Sequence, residues 1–234
     1  MTMRLLRARR LLLRVCSVLA VLLALACGGG LAAPAQAALP PFQAPFAGPP
    51  GPGSWFIGQW YGNTVWSHMY QYPAGQGLHF GIDFNAPCGT IVRAIGDGTV
   101  FAVDGPYGAA PHNVVIQHGG DLFSLYGHLL QRANLVPGQQ VRQGDPIALS
   151  GEPDGNCEHD PHLHLEIRKS AMRQTVNPAP LLNVDWWRAT LGIRRNGLTF
   201  ERDLDHPDRW MTISDQPDVT FGDAYLNAYD RAWP

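Results

Sequence analysis

The chain holds nine histidines, and eight of them fall between positions 68 and 164. Neutral imidazoles gathered with a few carboxylates are what a zinc ion takes as ligands, so the question is which of them converge. His162, His164 and Glu166 alternate with Leu163, Leu165 and Ile167. As a strand, this run turns both imidazoles and the carboxylate to one face and the three aliphatic side chains to the core. Two imidazoles roughly 6–7 Å apart along one strand fit a single tetrahedral ion only with distortion, which favours one as ligand and the other as acid/base partner. His79 and Asp83 share the same parity, but four straight residues would hold them roughly 13 Å apart. A bend must close that gap, and Gly77 and Gly81 are the residues expected to permit it.

The stretches His79-Phe80-Gly81-Ile82-Asp83-Phe84-Asn85-Ala86-Pro87, Gly89-Thr90, Asp97-Gly98, Tyr126-Gly127-His128-Leu129, Pro161-His162-Leu163-His164-Leu165-Glu166 and Asn177-Pro178 follow one another in this order. Together, over about residues 79–182, they resemble the lysostaphin/LytM-type zinc metalloendopeptidases. The resemblance implies one zinc ion per chain bound by His79, Asp83 and His164, with His128 and His162 as the catalytic pair beside it. It also implies a mainly β fold: an antiparallel sheet or sandwich of the duplicated hybrid motif type, with few short helices and a loop-walled groove. That groove would hold a peptide of bacterial peptidoglycan, whose stem or cross-bridge amide bonds are hydrolysed. In some relatives an upstream Asn fills the open zinc position in a latent form, which makes Asn63, together with Tyr126, a candidate for the groove. Cys157-Glu158-His159-Asp160 departs from the Gly, Ser and Thr often found there, which bears on loop shape and substrate choice.

Two imidazoles and one carboxylate leave the ion about one positive charge and an open position for water, as a catalytic zinc requires. The metal lowers the pKa of water toward ~7 and polarises the scissile carbonyl. Either His128 or His162 then takes the water proton, and either stabilises the oxyanion or protonates the leaving amine; the sequence leaves these roles open. Two other classes of function stay open as well. One is a non-catalytic envelope binding or regulatory module on the same fold, although such family members typically lack ligands that this chain retains. The other is a secreted peptidase acting on free peptides or proteins.

The elements that must position these residues read as short β runs between turns: 90–94, 98–103, 113–118, 122–128, 140–142, 146–150 and 162–168. Asp97-Gly98 and Pro137-Gly138 supply turns. Residues 55–182 thus form the expected catalytic domain. Trp55, Phe56, Trp60, Tyr61, Trp66, Tyr70 and Tyr72 precede the first ligand, an aromatic density that suits either a substrate cleft or core packing. His68, His112, His118, His159 and His206 are read as structural. Cys88 and Cys157 lie beside the two ligand-bearing stretches; a disulfide is the expected use, a thiolate nucleophile the alternative.

Around this domain the composition changes. Residues 38–54 carry six prolines and read as an extended, poorly packed linker. Residues 183–234, with nine acids and six arginines, form a C-terminal extension of unassigned role; a helix is expected from about Asp185 to Arg195, and Asp203, Asp205 and Asp208 read as a solvated turn. Five arginines precede an uncharged, apolar run from Val15, and Ala35-Gln36-Ala37 offers a cleavage site, so residues 1–37 read as a signal peptide. An uncleaved anchor or lipidation at Cys27 are the alternatives. Secretion or envelope localisation follows, with membrane contact only through that segment. The full chain has a formal charge of -2, but without residues 1–37 it has 12 basic against 19 acidic residues, or -7. Nucleic acid is therefore excluded as an expected partner, and a monomer binding peptidoglycan peptides is the expectation.

Overall fold

The computed structural model describes residues 41–190, 201–202 and 210–226. The expected signal peptide, the first residues of the expected linker, the end of the expected C-terminal helix, the Asp203–Asp208 turn and His206 lie outside them. Among the described residues no helix is long and apolar enough to cross a membrane.

In chain order the elements are β1 (Phe42–Gln43), β2 (Phe56–Gln59), α1 (Val65–Tyr70), β3 (Ile82–Asn85), β4 (Ile91–Arg93), β5 (Gly98–Val103), β6 (Val114–Gln117), β7 (Phe123–Gly127), β8 (Gln140–Val141), β9 (Pro146–Leu149), β10 (His162–Lys169), β11 (Gln174–Val176), β12 (Leu182–Asn183), α2 (Trp186–Thr190), β13 (Glu201–Arg202), β14 (Trp210–Met211) and β15 (Val219–Thr220). The fold is mainly β and antiparallel with few short helices. The seven strands expected from alternation and turn residues all form, within one or two residues of their expected ends.

A nine-stranded sheet follows the order β15-β11-β10-β7-β6-β5-β8, with β3 also paired to β10 and β2 to β3. β10 is its organising strand. β7 runs antiparallel along one edge of β10, while β3 and then β11 share the other. Leu163, Leu165 and Ile167 turn into the core with no exposure and pack with Ile82, Phe84 and Leu129. A smaller apolar cluster of Val115, Phe123, Leu125 and Met172 forms separately.

Two expectations need correction. The described part of the Pro-rich stretch is packed rather than extended away: β1 pairs with β12, and Phe42 and Phe46 are buried in the main core. Aromatic side chains among the prolines supply the apolar anchors that offset the poor hydrogen bonding of such a segment. α1 is the second case, since no helix was expected there. Six residues are too few to show helical periodicity, and the helix is set by its start instead. The Thr64 hydroxyl accepts the Ser67 N–H at 3.1 Å and the Ser67 hydroxyl accepts the Thr64 N–H at 2.8 Å, a reciprocal cap.

Candidate metal centre

Antiparallel register places Asp83 of β3 directly opposite His164 of β10. Facing residues in such a pair bring their Cβ atoms to about 4.5–5.5 Å, so a carboxylate and an imidazole there meet without distortion. His164 Nδ1 lies 2.8 Å from Asp83 Oδ1. His79 arrives from outside β3, held by a two-residue bridge to Gly62. Its Nε2 stands 3.3 Å from both Asp83 Oδ1 and His164 Nδ1.

Bending between His79 and Asp83 does occur, but Gly81 acts differently from the expectation. A Cβ on Gly81 would lie 2.6 Å from His164 Cε1 and 2.7 Å from Nε2, so its missing side chain makes room for the imidazole. Gly77, with φ of +83°, is the residue in the left-handed region.

The three atoms therefore sit 2.8–3.3 Å apart. Donors about 2.0–2.2 Å from a tetrahedral zinc ion stand about 3.3–3.6 Å from one another, so a slight outward relaxation admits the ion. Each imidazole is also oriented from behind. His79 Nδ1 donates to the Trp60 carbonyl at 2.7 Å, which leaves Nε2 as the lone-pair atom. His164 turns Nε2 toward Glu166 Oε1 at 3.4 Å, an ion-pair distance without hydrogen-bond geometry. Glu166, fully buried, is held in turn by Arg168 through contacts of 2.7 and 2.8 Å. An oxygen behind each metal-ligating imidazole is the usual arrangement for fixing tautomer and ring angle.

Electrostatics agree with a cation site. Burial would raise the Asp83 carboxyl, but His79, His162 and His164 outweigh it and hold it well below the usual carboxylate range. Burial would lower His164, yet Asp83 and Glu166 raise it to about 9. Glu166 is held low despite burial, by His164 and Arg168.

His128 and His162 flank this cluster, with ring centroids 5.0 Å apart. His162 Nδ1 donates to the Asp160 carbonyl at 2.7 Å and its Nε2 lies 3.9 Å from Asp83 Oδ1. His128 Nδ1 likewise donates to the Ala110 carbonyl. Both rings are thus set in the tautomer that leaves Nε2 as an acceptor. His128 sits just past the end of β7 with φ of +55°, an uncommon conformation for a residue with a side chain and one that costs on the order of 1–3 kcal/mol. Its basicity falls to about 4, first from burial and then from His164 and His162.

A cavity of about 350 Å³ opens over these five residues, and Gln59, Trp66, Tyr70, Tyr72, Phe80, Ala109 and Pro153 complete its wall. The aromatic approach therefore divides: Trp66, Tyr70 and Tyr72 face the cavity, whereas Trp55, Trp60 and Tyr61 are buried in the core. Asn63 and Tyr126 do not line the cavity, which corrects the expected groove. Tyr126 has no exposure; its hydroxyl accepts the Ile95 N–H at 2.8 Å and a bond from Ser124. Asn63 is fully buried, with its N–H donated to the Gln216 side chain at 2.9 Å.

Cys88 and Cys157 form a disulfide, Cα atoms 6.0 Å apart, which overturns the thiolate alternative. Among the histidines read as structural, His118 bonds Asp97 and Ser124, His112 pairs with Asp104, and His159 lies 3.7 Å from Asp154. Glu166 and Arg168, which stand behind His164, are residues that the sequence left without a role. Their signal was present, because both share the parity of His162 and His164. Phe80 and Pro153 gave no such signal.

Residues 77–178 match peptidase family M23. The chain is 43% identical over 104 residues to the murein hydrolase activator EnvC of Escherichia coli (strain K12), covering 44% of this chain and 23% of that one. It is 40% identical over 101 residues to the DD-carboxypeptidase/endopeptidase Mpg of Neisseria meningitidis serogroup B, covering 43% and 22%. Similarity to lysostaphin of Staphylococcus staphylolyticus reaches 30% identity over 130 residues, 53% of this chain and 26% of that one. The chain thus spans about a quarter of the length of the curated relatives it matches.

Proposed function

We propose, starting from the peptidase family M23 domain that this chain carries at residues 77–178, that the chain is an exported zinc endopeptidase hydrolysing amide bonds in peptidoglycan peptides. The observation that carries this reading is the joint convergence of His79, Asp83 and His164 with the rings of His128 and His162 beneath one cavity. A binding module needs no second pair of imidazoles held as proton acceptors. His79 Nε2, Asp83 Oδ1 and His164 Nδ1 would hold the ion.

When bound, zinc supplies a Lewis acid for the scissile carbonyl and raises the acidity of water. His128 and His162, each with Nδ1–H fixed on a backbone carbonyl, accept a proton at Nε2 and return it to the leaving amine. A protonated Nε2–H also donates to the oxyanion, so one ring serves as base while its neighbour stabilises charge. Trp66, Tyr70 and Tyr72 wall the cavity and exclude water from the peptide's flank. Tyr72 stays neutral, its phenol pushed up to about 12 by burial and by Asp83, so it offers a donor rather than a charge.

EnvC, the activator among the relatives, favours a second reading in which the domain regulates another hydrolase. Digestion of purified cell walls with the zinc-loaded protein separates the two. New peptide termini that vanish on chelation support the endopeptidase; stoichiometric zinc without new termini supports the regulator.

A further inference from the structure

The segment after residue 210 lies outside the stretch that matches the family, yet its described part touches residues adjoining the metal ligands at three places. Gln216 inserts its side chain against Gly62, where a Cβ would come within 2.3 Å of Gln216 Oε1, and accepts the Asn63 N–H. Gly62 is the residue whose N–H and carbonyl both bridge His79, at 2.7 and 2.9 Å. The second contact is on Gln76, three residues before His79. Gln76 accepts the Thr220 N–H on its side chain at 2.7 Å, donates to the Ala224 carbonyl at 2.7 Å, and accepts the Leu226 N–H on its own carbonyl at 2.8 Å.

Phe221 makes the third contact, with Phe80, which packs on two of the ligands, and with Arg168, which holds Glu166. Its ring meets Phe80 edge to face at 5.6 Å, and Phe80 packs on His164 at 5.4 Å and His79 at 6.3 Å. The same ring lies 4.5 Å beneath the Arg168 guanidinium, which holds Glu166 behind His164. Arg168 is further fixed by the Tyr107 carbonyl at 2.7 Å. A segment that only extended the sheet would pair β15 with β11, as it does, and stop there. Here a residue next to that pairing supports the segment between His79 and Asp83 through an edge-to-face ring contact, and β10 through a cation over an aromatic face.

We propose that the segment 212–226 braces the zinc ligands through the side chains of Gln216 and Phe221 and the backbone of Thr220, Ala224 and Leu226, with Phe221 as its main positioning residue. The proposal rests on the zinc reading above. It gives the C-terminal extension a role in metal affinity rather than in substrate contact.

Equilibrium zinc affinity, measured by chelator competition on the full chain, tests it. Phe221→Ala is expected to weaken zinc by about tenfold to a hundredfold, the usual cost of losing an outer partner of a ligand. Phe221→Tyr, which keeps the ring faces, is expected to restore most of that loss. Phe221→Leu fills the space without a ring and covers the case in which the alanine variant does not fold; it too should bind zinc more weakly at an unchanged melting temperature. The cobalt-substituted Phe221→Leu protein should show a shifted ligand-field band. Tyr225→Ala, at a half-exposed neighbour, should leave zinc affinity as it was. Wild-type affinity in Phe221→Leu, or an equal loss in Tyr225→Ala, would overturn the brace while leaving the endopeptidase reading intact. Failure of the wild-type chain to bind zinc would overturn both.

Discussion

Among the described residues two clusters bring histidine and carboxylate ligand atoms within 4.8 Å of one another, and they differ in burial and in what those atoms already bind. At the first, His79, Asp83 and His164 are buried and direct three ligand atoms at one point. At the second, the ligand atoms of Glu152, Asp154 and His159 also lie within 4.8 Å of one another, but both carboxylates already accept backbone N–H groups. Glu152 accepts the N–H groups of His159 and Asp160, and Asp154 accepts that of Asn156. His159 and Asp154 are largely in water, with side-chain exposures of 71% and 48%. The difference teaches that spacing of ligand types is insufficient; lone pairs must be left over after the backbone is satisfied. The second cluster shapes the loop whose Asp160 carbonyl orients His162.

The largest contrast is expected in metal content. His164→Ala should lose stoichiometric zinc altogether, while His159→Ala should retain one ion per chain, both measured by elemental analysis after dialysis. Equal loss in the two variants would erase the distinction between the clusters. A second contrast lies within the first cluster's surroundings. His162→Ala should keep zinc and lose turnover on cell walls by about 10²–10⁴-fold, the usual contribution of a positioned acid or base.

Legibility in the sequence followed the range of the interactions. The period-two alternation of His162 to Glu166 was readable because one strand carries it, and Asp83 was readable as a neighbour only through the demand that it reach His79. The reason they meet lies elsewhere: cross-strand register, and a glycine whose empty Cβ position admits an imidazole. Neither is visible locally. Phe42 and Phe46 were hidden by their prolines, since composition suggested a linker while two aromatic anchors decided the packing. Tyr126 was misplaced because its motif neighbours His128; alternation alone would put both on one face, but the positive φ of His128 turns its ring to the site while Tyr126 stays in the core. Gln216 and Phe221 act on residues about 140–155 positions earlier in the chain, so no window along the sequence contains both partners.

Smaller effects sharpen the comparison further. Glu152→Gln replaces one acceptor oxygen with a donor facing two N–H groups and should lower stability by about 1–3 kcal/mol in thermal unfolding, with zinc content unchanged. Turnover should fall less than in His162→Ala. The pH response should also separate the clusters. In metal-free protein the pKa of His164 is raised to about 9 from an ordinary value of 6.5, so its contribution to stability is fully present below about pH 6.5. That contribution is lost as pH rises through about 9. Melting temperature in chelator should therefore decline over this window, while zinc affinity rises as the competing proton leaves. His164→Ala should flatten the decline, and an unchanged decline in that variant would assign it to another group.

The central claim is tested most directly by mass spectrometry of purified cell-wall peptides incubated with the zinc-loaded chain, its chelated form and His162→Ala. Fragments heavier in sum by one water per cut, with a new amine and a new carboxyl, are expected from the zinc-loaded protein alone. Intact peptides in all three samples, with zinc bound at one ion per chain, would contradict it.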